Sequence, residues 1–221
     1  MRMLRLPNPK TLRKTVLRLK RFDVVSVRER NMVEFLKQHY ERESIWVMGA
    51  VFLLGKEFWI GLAEKDERAE GKGKAVSRIL DPAEIKRKVL LLVASKLEAP
   101  MLDMVMDEQT VERFNLPGTK AEVNLYEWLA NIAHYRFSVT DSFHGVCFAL
   151  IFNKPFICIN NQSRGEERFI SLLDTFHLRN RIFPADIFPV LDDGIVELDC
   201  MPVKAYYSFM RCCQFNGLGK L

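Results

Sequence analysis

The chain has 221 residues, 48% of them hydrophobic, with 33 Lys and Arg against 28 Asp and Glu, a net charge of +5 and a pI near 9.0. That apolar content can bury one large core and excludes a disordered chain, while no stretch reaches the ~20 apolar residues that a membrane helix needs. The positive balance suits anionic ligands, but much of the excess sits at the N-terminus, which argues against nucleic acid as the partner.

Residues 1–21 read as a basic extension, with Leu12, Val16 and Leu19 forming one apolar stripe of a helix that starts near Thr11. Such a helix either packs its stripe on the domain or makes a peripheral contact with an anionic membrane surface. The N-terminus lacks the apolar core of a secretion signal, so a cytoplasmic location is expected, with the inner face of the cell membrane as a place of contact.

Residues 22–221 read as one domain. A strand over 22–27 passes into a helix opened by Arg28-Glu29-Arg30, on which Met32, Val33 and Leu36 recur at helical spacing. A second short strand follows at 45–48, then a helix over 57–63 and a charged, Gly-bearing loop over 64–74. The strand at 75–80 ends in Asp81-Pro82, which predicts Asp81 as the N-cap and Pro82 as the first residue of a helix to about Leu97. Residues 100–106 form the next strand, and 107–117 are connecting structure. A helix over 125–134 places Tyr126 and Trp128 among Leu129, Ile132 and Ala133 as packing residues.

The most informative stretch is 137–159. A short apolar run from Phe137 leaves through Thr140-Asp141-Ser142, so Asp141 or Ser142 is the predicted N-cap of the helix that follows. From Val146 to Phe152 the residues are apolar all round, as in a helix buried in a protein interior. Asn153-Lys154-Pro155 stops it, and the next buried strand runs to Ile159. Strand, helix and strand in succession imply a parallel sheet. A helix over 167–176, a proline-bearing loop from Phe183 and a helix over 202–213 complete the chain, with residues 217–221 frayed.

In open α/β sheets, ligands bind beyond the carboxyl ends of the strands, where helix N-termini present free N–H groups to anions. His144 lies at one such exit, and the tract Asn160 to Gly165, which contains Arg164, lies at the next. Arg28 occupies a third. An imidazole and guanidiniums at neighbouring exits make a pocket for carboxylate or phosphate. On spacing alone the alternatives stay open: His144 as a packing residue, and Arg28 and Arg164 as solvated charges. Arg168 reads either as a second cation near the site or, more simply, as a helix-surface charge. Cys147, Cys158, Cys200, Cys212 and Cys213 are odd in number, and read as small core hydrophobes in a reducing compartment. No histidine has a partner at metal-ligand spacing, so no metal is expected.

The blocks Val139-Thr-Asp-Ser-Phe-His-Gly145, Ile151-Phe-Asn-Lys-Pro-Phe-Ile157, Arg164-Gly165 with Arg168-Phe169, and Leu172-Leu173 running to Arg181-Ile182 resemble the polysaccharide pyruvyl transferase family. Phe22-Asp-Val-Val-Ser-Val-Arg-Glu29, Phe52-Leu-Leu-Gly-Lys-Glu-Phe-Trp59 and Ile79-Leu-Asp-Pro-Ala-Glu84 resemble further blocks in the same order. The resemblance implies an α/β, three-layer Rossmann-like domain with a mostly parallel sheet, one half of a GT-B-like enzyme whose other half has no counterpart here. It implies transfer of the enolpyruvyl unit of phosphoenolpyruvate onto two hydroxyls of a glycan or lipid-linked sugar as a ketal. Phosphoenolpyruvate is then the donor substrate and no cofactor is expected. His144 is the implied proton-transfer residue, and Arg28, Arg164, Asp141, Ser142 and Asn160 the implied substrate contacts. Gly49-Ala50 stands where the family has Asp-Pro. Two other readings stay open: a GT-B glycosyltransferase domain using a nucleotide sugar, and a non-catalytic protein, either a fragment or the partner subunit of a separate N-terminal domain chain.

Overall fold

A computed structural model describes residues 8–104, 118–120, 123–160 and 165–186. The expected connection at 107–117, the helix at 202–213, the C-terminal residues, three of the cysteines and Arg164 lie outside the described residues.

Three short α-helices, one 3-10 turn and two strands come first. Helix α1 (Pro9–Leu19) starts earlier than the spacing of its leucines suggests, because Asn8 accepts from the Thr11 amide at 2.9 Å and Pro9 needs no N–H partner. Strand β1 (Ser26–Val27), helix α2 (Asn31–Tyr40) and strand β2 (Ile45–Trp46) make a small parallel unit separate from the main sheet. Strand β1 is much shorter than the apolar run 22–27. The Arg42 guanidinium takes the Phe22 and Asp23 carbonyls, the latter at 2.9 Å, so these acceptors never join a ladder. A 3-10 turn (Ala50–Leu53) leads into α3 (Lys56–Ala63).

The main sheet is built from β3 (Ala75–Arg78), β4 (Met101–Met104), β5 (Thr119–Lys120), β6 (Phe137–Thr140), β7 (Phe156–Ile159) and β8 (Ile182–Phe183). Between them run α4 (Glu84–Leu97), α5 (Leu125–His134), α6 (Phe143–Phe152) and α7 (Glu167–Thr175). Strand order is β5-β4-β3-β6-β7-β8 and every pairing is parallel, which confirms the α/β expectation. The chain works outward from β3 to β5, then returns to lay β6 on the other side of β3. This is the doubly wound order, with its reversal between β3 and β6.

Alternation along the strands divides the core in two. Val76, Leu102, Met104, Phe156 and Cys158 face one cluster, filled by Trp128, Leu129 and Ile132 of α5, Phe148 and Phe152 of α6, and Phe169 and Leu172 of α7. Ala75, Phe137, Val139, Ile157 and Ile159 face the other, against Val89, Leu90, Val93 and Leu97 of α4. The sheet is therefore covered on both sides, in three layers. Helix α6 is buried at every position but His144, as its unbroken apolar sequence demands. Each of its large side chains contributes roughly 2 kcal/mol through burial.

Some local expectations are overridden by long-range contacts. Asp81 is not an N-cap: α4 begins two residues after Pro82, with Ala83 in the capping position. The amides of Leu80 and Asp81 donate to Asp141 instead, and Lys86 Nζ holds the Asp81 carbonyl at 2.8 Å, so the segment stays a loop. On α5, Trp128 is buried edge-on to Phe148, but Tyr126 is 42% exposed. Two residues along a helix is about 200° of rotation, so the pair cannot share the buried side. Cys147 and Cys158 are free and buried in the core. Among the described residues, no helix is long and apolar enough to cross a membrane.

Candidate anion-binding site

The reversal between β3 and β6 puts two strand exits side by side, and α6 starts from the second. Ser142 is its N-cap, with Oγ accepting from the Gly145 amide at 3.3 Å. Thr140 braces the exit: its hydroxyl donates to the Arg78 carbonyl at 2.8 Å and accepts from the Ser142 amide at 3.0 Å. A glycine at 145 is required by this closeness, since a Cβ there would stand 2.6 Å from Thr140 Oγ1. The first turn of α6 is thus pinned tightly over the end of β6, with its N-terminal dipole facing outward.

His144 is the exposed position of that turn. Two guanidiniums gather at the same place. Arg28, just after β1, lies with Cζ 5.3 Å from the centroid of the Phe143 ring, and Arg168, in the first turn of α7, lies 5.5 Å from it. Arg168 also stacks 5.2 Å from Phe169. Such contacts hold a cation against an apolar surface. Arg28 reaches the site because the β1–α2–β2 unit is clamped to α7 by its neighbour Arg30. The Arg30 amide donates to Ser171 Oγ and its guanidinium to Thr175 Oγ1, both at 3.0 Å, and that guanidinium lies 4.0 Å from the Trp46 ring.

The electrostatics follow from the crowding. Partial burial, then Arg28 and Arg168, hold the His144 pKa below its ordinary value, so the imidazole is neutral at neutral pH. The two guanidiniums also act on Cys147 in the next turn, but burial dominates and pushes that thiol far up. Arg28 has a carboxylate partner, Glu29, at 3.4 Å. Both side chains are substantially solvated, so this pair is weak and does not cancel the local positive field. Two cations, a neutral imidazole and a helix N-terminus together form a surface to which an anion would bind, and on which it would draw a proton onto the imidazole.

The six residues singled out from sequence are not all in one place. His144 and Arg28 come together, and Ser142 caps the helix beneath them. Asp141 turns inward. Its carboxylate is fully buried and accepts from the Leu80 amide at 2.6 Å, the Asp81 amide at 3.1 Å and Lys86 Nζ at 2.7 Å. It ties the β6 exit to the β3 exit across the reversal point, which is a bracing role in place of the expected substrate contact. Asn160 follows β7, its amide donating to the Phe183 carbonyl at 2.7 Å. Its Oδ1 is buried with no hydrogen-bond partner among the described residues. Arg164 lies outside them. Arg168, for which the sequence favoured a surface charge over a second cation near the site, stands beside Phe143. The signal that could have found it is its position one residue before Phe169, the first buried residue of α7. Among the described residues, no group of three or more His, Cys, Asp or Glu is close enough to hold a metal ion.

Comparison with known proteins gives one family and several distant folds. Solved structures that resemble the chain include the glycotransferase of kitacinnamycin, at 16% identity and a TM-score of 0.41, covering 66% of this chain and 40% of that one. They also include the wall teichoic acid polymerase TagF with CDPG, at 15% identity and a TM-score of 0.43, covering 72% and 44%. The chain therefore spans less than half the length of either protein, and its fold rests on its own strand order. Curated proteins yield no significant match. The family model for polysaccharide pyruvyl transferase matches residues 6–163, which take in β1 through β7, Arg28 and the whole of α6. With more than half of its length so matched, the chain belongs to the polysaccharide pyruvyl transferase family.

Proposed function

We propose that the chain supplies the phosphoenolpyruvate-binding half of a transferase that places pyruvate as a ketal on a glycan or lipid-linked sugar. The observation that carries this reading is the meeting of Arg28 and Arg168 at Phe143, beside His144 and the N-terminus of α6. Phosphoenolpyruvate has two anionic groups, a phosphate and a carboxylate, and two guanidiniums with a helix N-terminus are chemically matched to them. Arg164 is proposed as a further clamp, and Ser142 and Asn160 as groups at the same rim.

The reaction needs a proton donor for the methylene carbon, and an imidazole has a pKa suited to that task. Free His144 is neutral; the incoming dianion offsets the two cations that depress its pKa, so the imidazole gains its proton when substrate arrives. Transfer of that proton to the methylene carbon makes the methyl group and leaves positive charge at the carbon bearing phosphate. One sugar hydroxyl adds there, the bond to phosphate breaks, and the second hydroxyl closes the ketal. Of the two hydroxyl protons released, one replaces the proton His144 gave up and the other leaves with phosphate. Held in line by the guanidiniums, donor and acceptor need little reorganisation during the step.

Calorimetric titration distinguishes this reading from a nucleotide-sugar enzyme. The chain is expected to bind phosphoenolpyruvate, and Arg28→Gln to weaken binding by about tenfold or more, the value of one charge-assisted hydrogen-bonded pair. Binding of UDP-sugars with no measurable binding of phosphoenolpyruvate would refute it.

A further inference from the structure

Charge is unevenly divided along this chain. Residues 1–21 hold eight Lys and Arg and no Asp or Glu, so the remaining 200 residues, with 25 cations against 28 carboxylates, are net −3. Within the described residues, α1 and the turn after it carry Lys10, Arg13, Lys14, Arg18, Lys20 and Arg21, all exposed. Much of the positive charge among the described residues is thus gathered on one short helix and the turn after it.

That helix has two distinct sides. At about 100° per residue, Leu12, Thr15, Val16 and Leu19 fall together. They are the half-buried positions, and α1 packs on α2. The apolar stripe legible in the sequence is therefore turned toward the protein. On the opposite side Leu17, 60% exposed, is surrounded on the helical projection by Lys10, Arg13 and Lys14. Phe22 and Val24 follow the helix at 60% and 53% exposed. The Arg42 guanidinium holds the Phe22 and Asp23 carbonyls, so the backbone here is fixed while the Phe22 ring stands in solvent.

We infer that this outward face of α1, with Leu17 on it and Phe22 exposed in the turn that follows, docks on an anionic lipid bilayer. Among the described residues, only Lys20 of these six cations has a carboxylate, Glu41, at 4.0 Å and in solvent, and the six outnumber the one adjoining exposed acid, Asp23. They complement a surface of phosphate headgroups, and each cation near such a surface strengthens binding by about fivefold. A soluble polyanion would use the same cations but has no place for Leu17 or Phe22. A bilayer takes both, the cations at headgroup level and the apolar side chains at the acyl boundary. This docking uses none of the residues around His144, so it stands or falls independently of the transferase reading.

The experiment is co-sedimentation of the full chain with vesicles of phosphatidylcholine alone, and with about 30% phosphatidylglycerol added. Binding is expected only to the anionic vesicles and is expected to disappear as salt rises from about 0.1 to 0.5 M. Arg13→Gln with Lys14→Gln is expected to weaken it about thirty-fold. Leu17→Gln with Phe22→Gln leaves the charge unchanged and is expected to weaken it about tenfold, with an unaltered circular dichroism spectrum. No binding to anionic vesicles would overturn the inference. So would binding that is indifferent to the Leu17 and Phe22 changes and fully displaced by soluble polyphosphate, which would mark a general polyanion surface.

Discussion

Asp141 sits in the motif that leads to His144, yet it bonds only into the protein, and its replacement should be felt as instability. Asp141→Ala removes the acceptor of two backbone amides and the partner of Lys86, whose side chain is 5% exposed and keeps the Asp81 carbonyl. Removing one member of a buried, hydrogen-bonded ion pair costs about 3–5 kcal/mol, because the other charge stays buried without compensation. At about 2–4 °C per kcal/mol for a domain of this size, the thermal midpoint should fall by roughly 6–20 °C. Urea unfolding followed by far-ultraviolet circular dichroism measures the loss. Pairing Asp141→Ala with Lys86→Met removes both charges and should recover more than half of it, since the uncompensated ammonium is the larger part of the cost. A single variant within about 0.5 kcal/mol of the parent would refute the bracing role, because surface-like behaviour is what an unburied, ligand-facing carboxylate would show.

Further outcomes follow from neighbouring contacts. Gly145→Ala forces a methyl to 2.6 Å from Thr140 Oγ1 and 3.2 Å from Cγ2, and that hydroxyl is already held by Ser142 and Arg78. It should destabilise by about 2–3 kcal/mol in urea unfolding and weaken anion binding through displacement of the α6 first turn. Asp103, in register with Ser77 on the α4 side of the sheet, has its carboxyl pushed up to about 6 by burial, against the pull of Ser77 and Arg78. An unfolded Asp ionises near 3.9, so the folded state loses stability between about pH 4 and pH 6 and stays lower above that, by about 3 kcal/mol at most. Unfolding of Asp103→Asn at pH 4 and pH 8 should show the parent's excess loss, and equal pH dependence of the two would contradict it. Arg168→Gln should weaken phosphoenolpyruvate binding about as much as Arg28→Gln, roughly tenfold, in the same titration. An unchanged affinity would return Arg168 to a surface role.

What could be read in advance was what local chemistry decides. The unit from Phe137 to Ile159 is punctuated by a cap, an all-apolar helix and a proline, so its elements and the parallel sheet they imply were legible. The exit position of His144 followed from the same punctuation. What stayed hidden depends on residues far apart in sequence. Asp81 looks like an N-cap until Asp141, 60 residues on, takes its amide. The run 22–27 looks like a full strand until Arg42 removes its carbonyls from pairing. Arg168 lies at the margin of the buried side of α7, and only the approach of α7 to α6 decides that it points at Phe143. Strand β8 is two residues long, paired to β7 by register alone. It carries no pattern of its own.

The proposed proton transfer requires that His144 sit in a positive field that an anionic substrate neutralises. Imidazole proton resonances followed across pH by NMR, with and without phosphoenolpyruvate, test it at one atom. The expected result is a His144 pKa below the ordinary 6.5 in the free protein, an upward shift on adding phosphoenolpyruvate, and an upward shift without ligand in Arg28→Gln with Arg168→Gln. A His144 pKa that is unmoved by the ligand and by removal of both guanidiniums would contradict it.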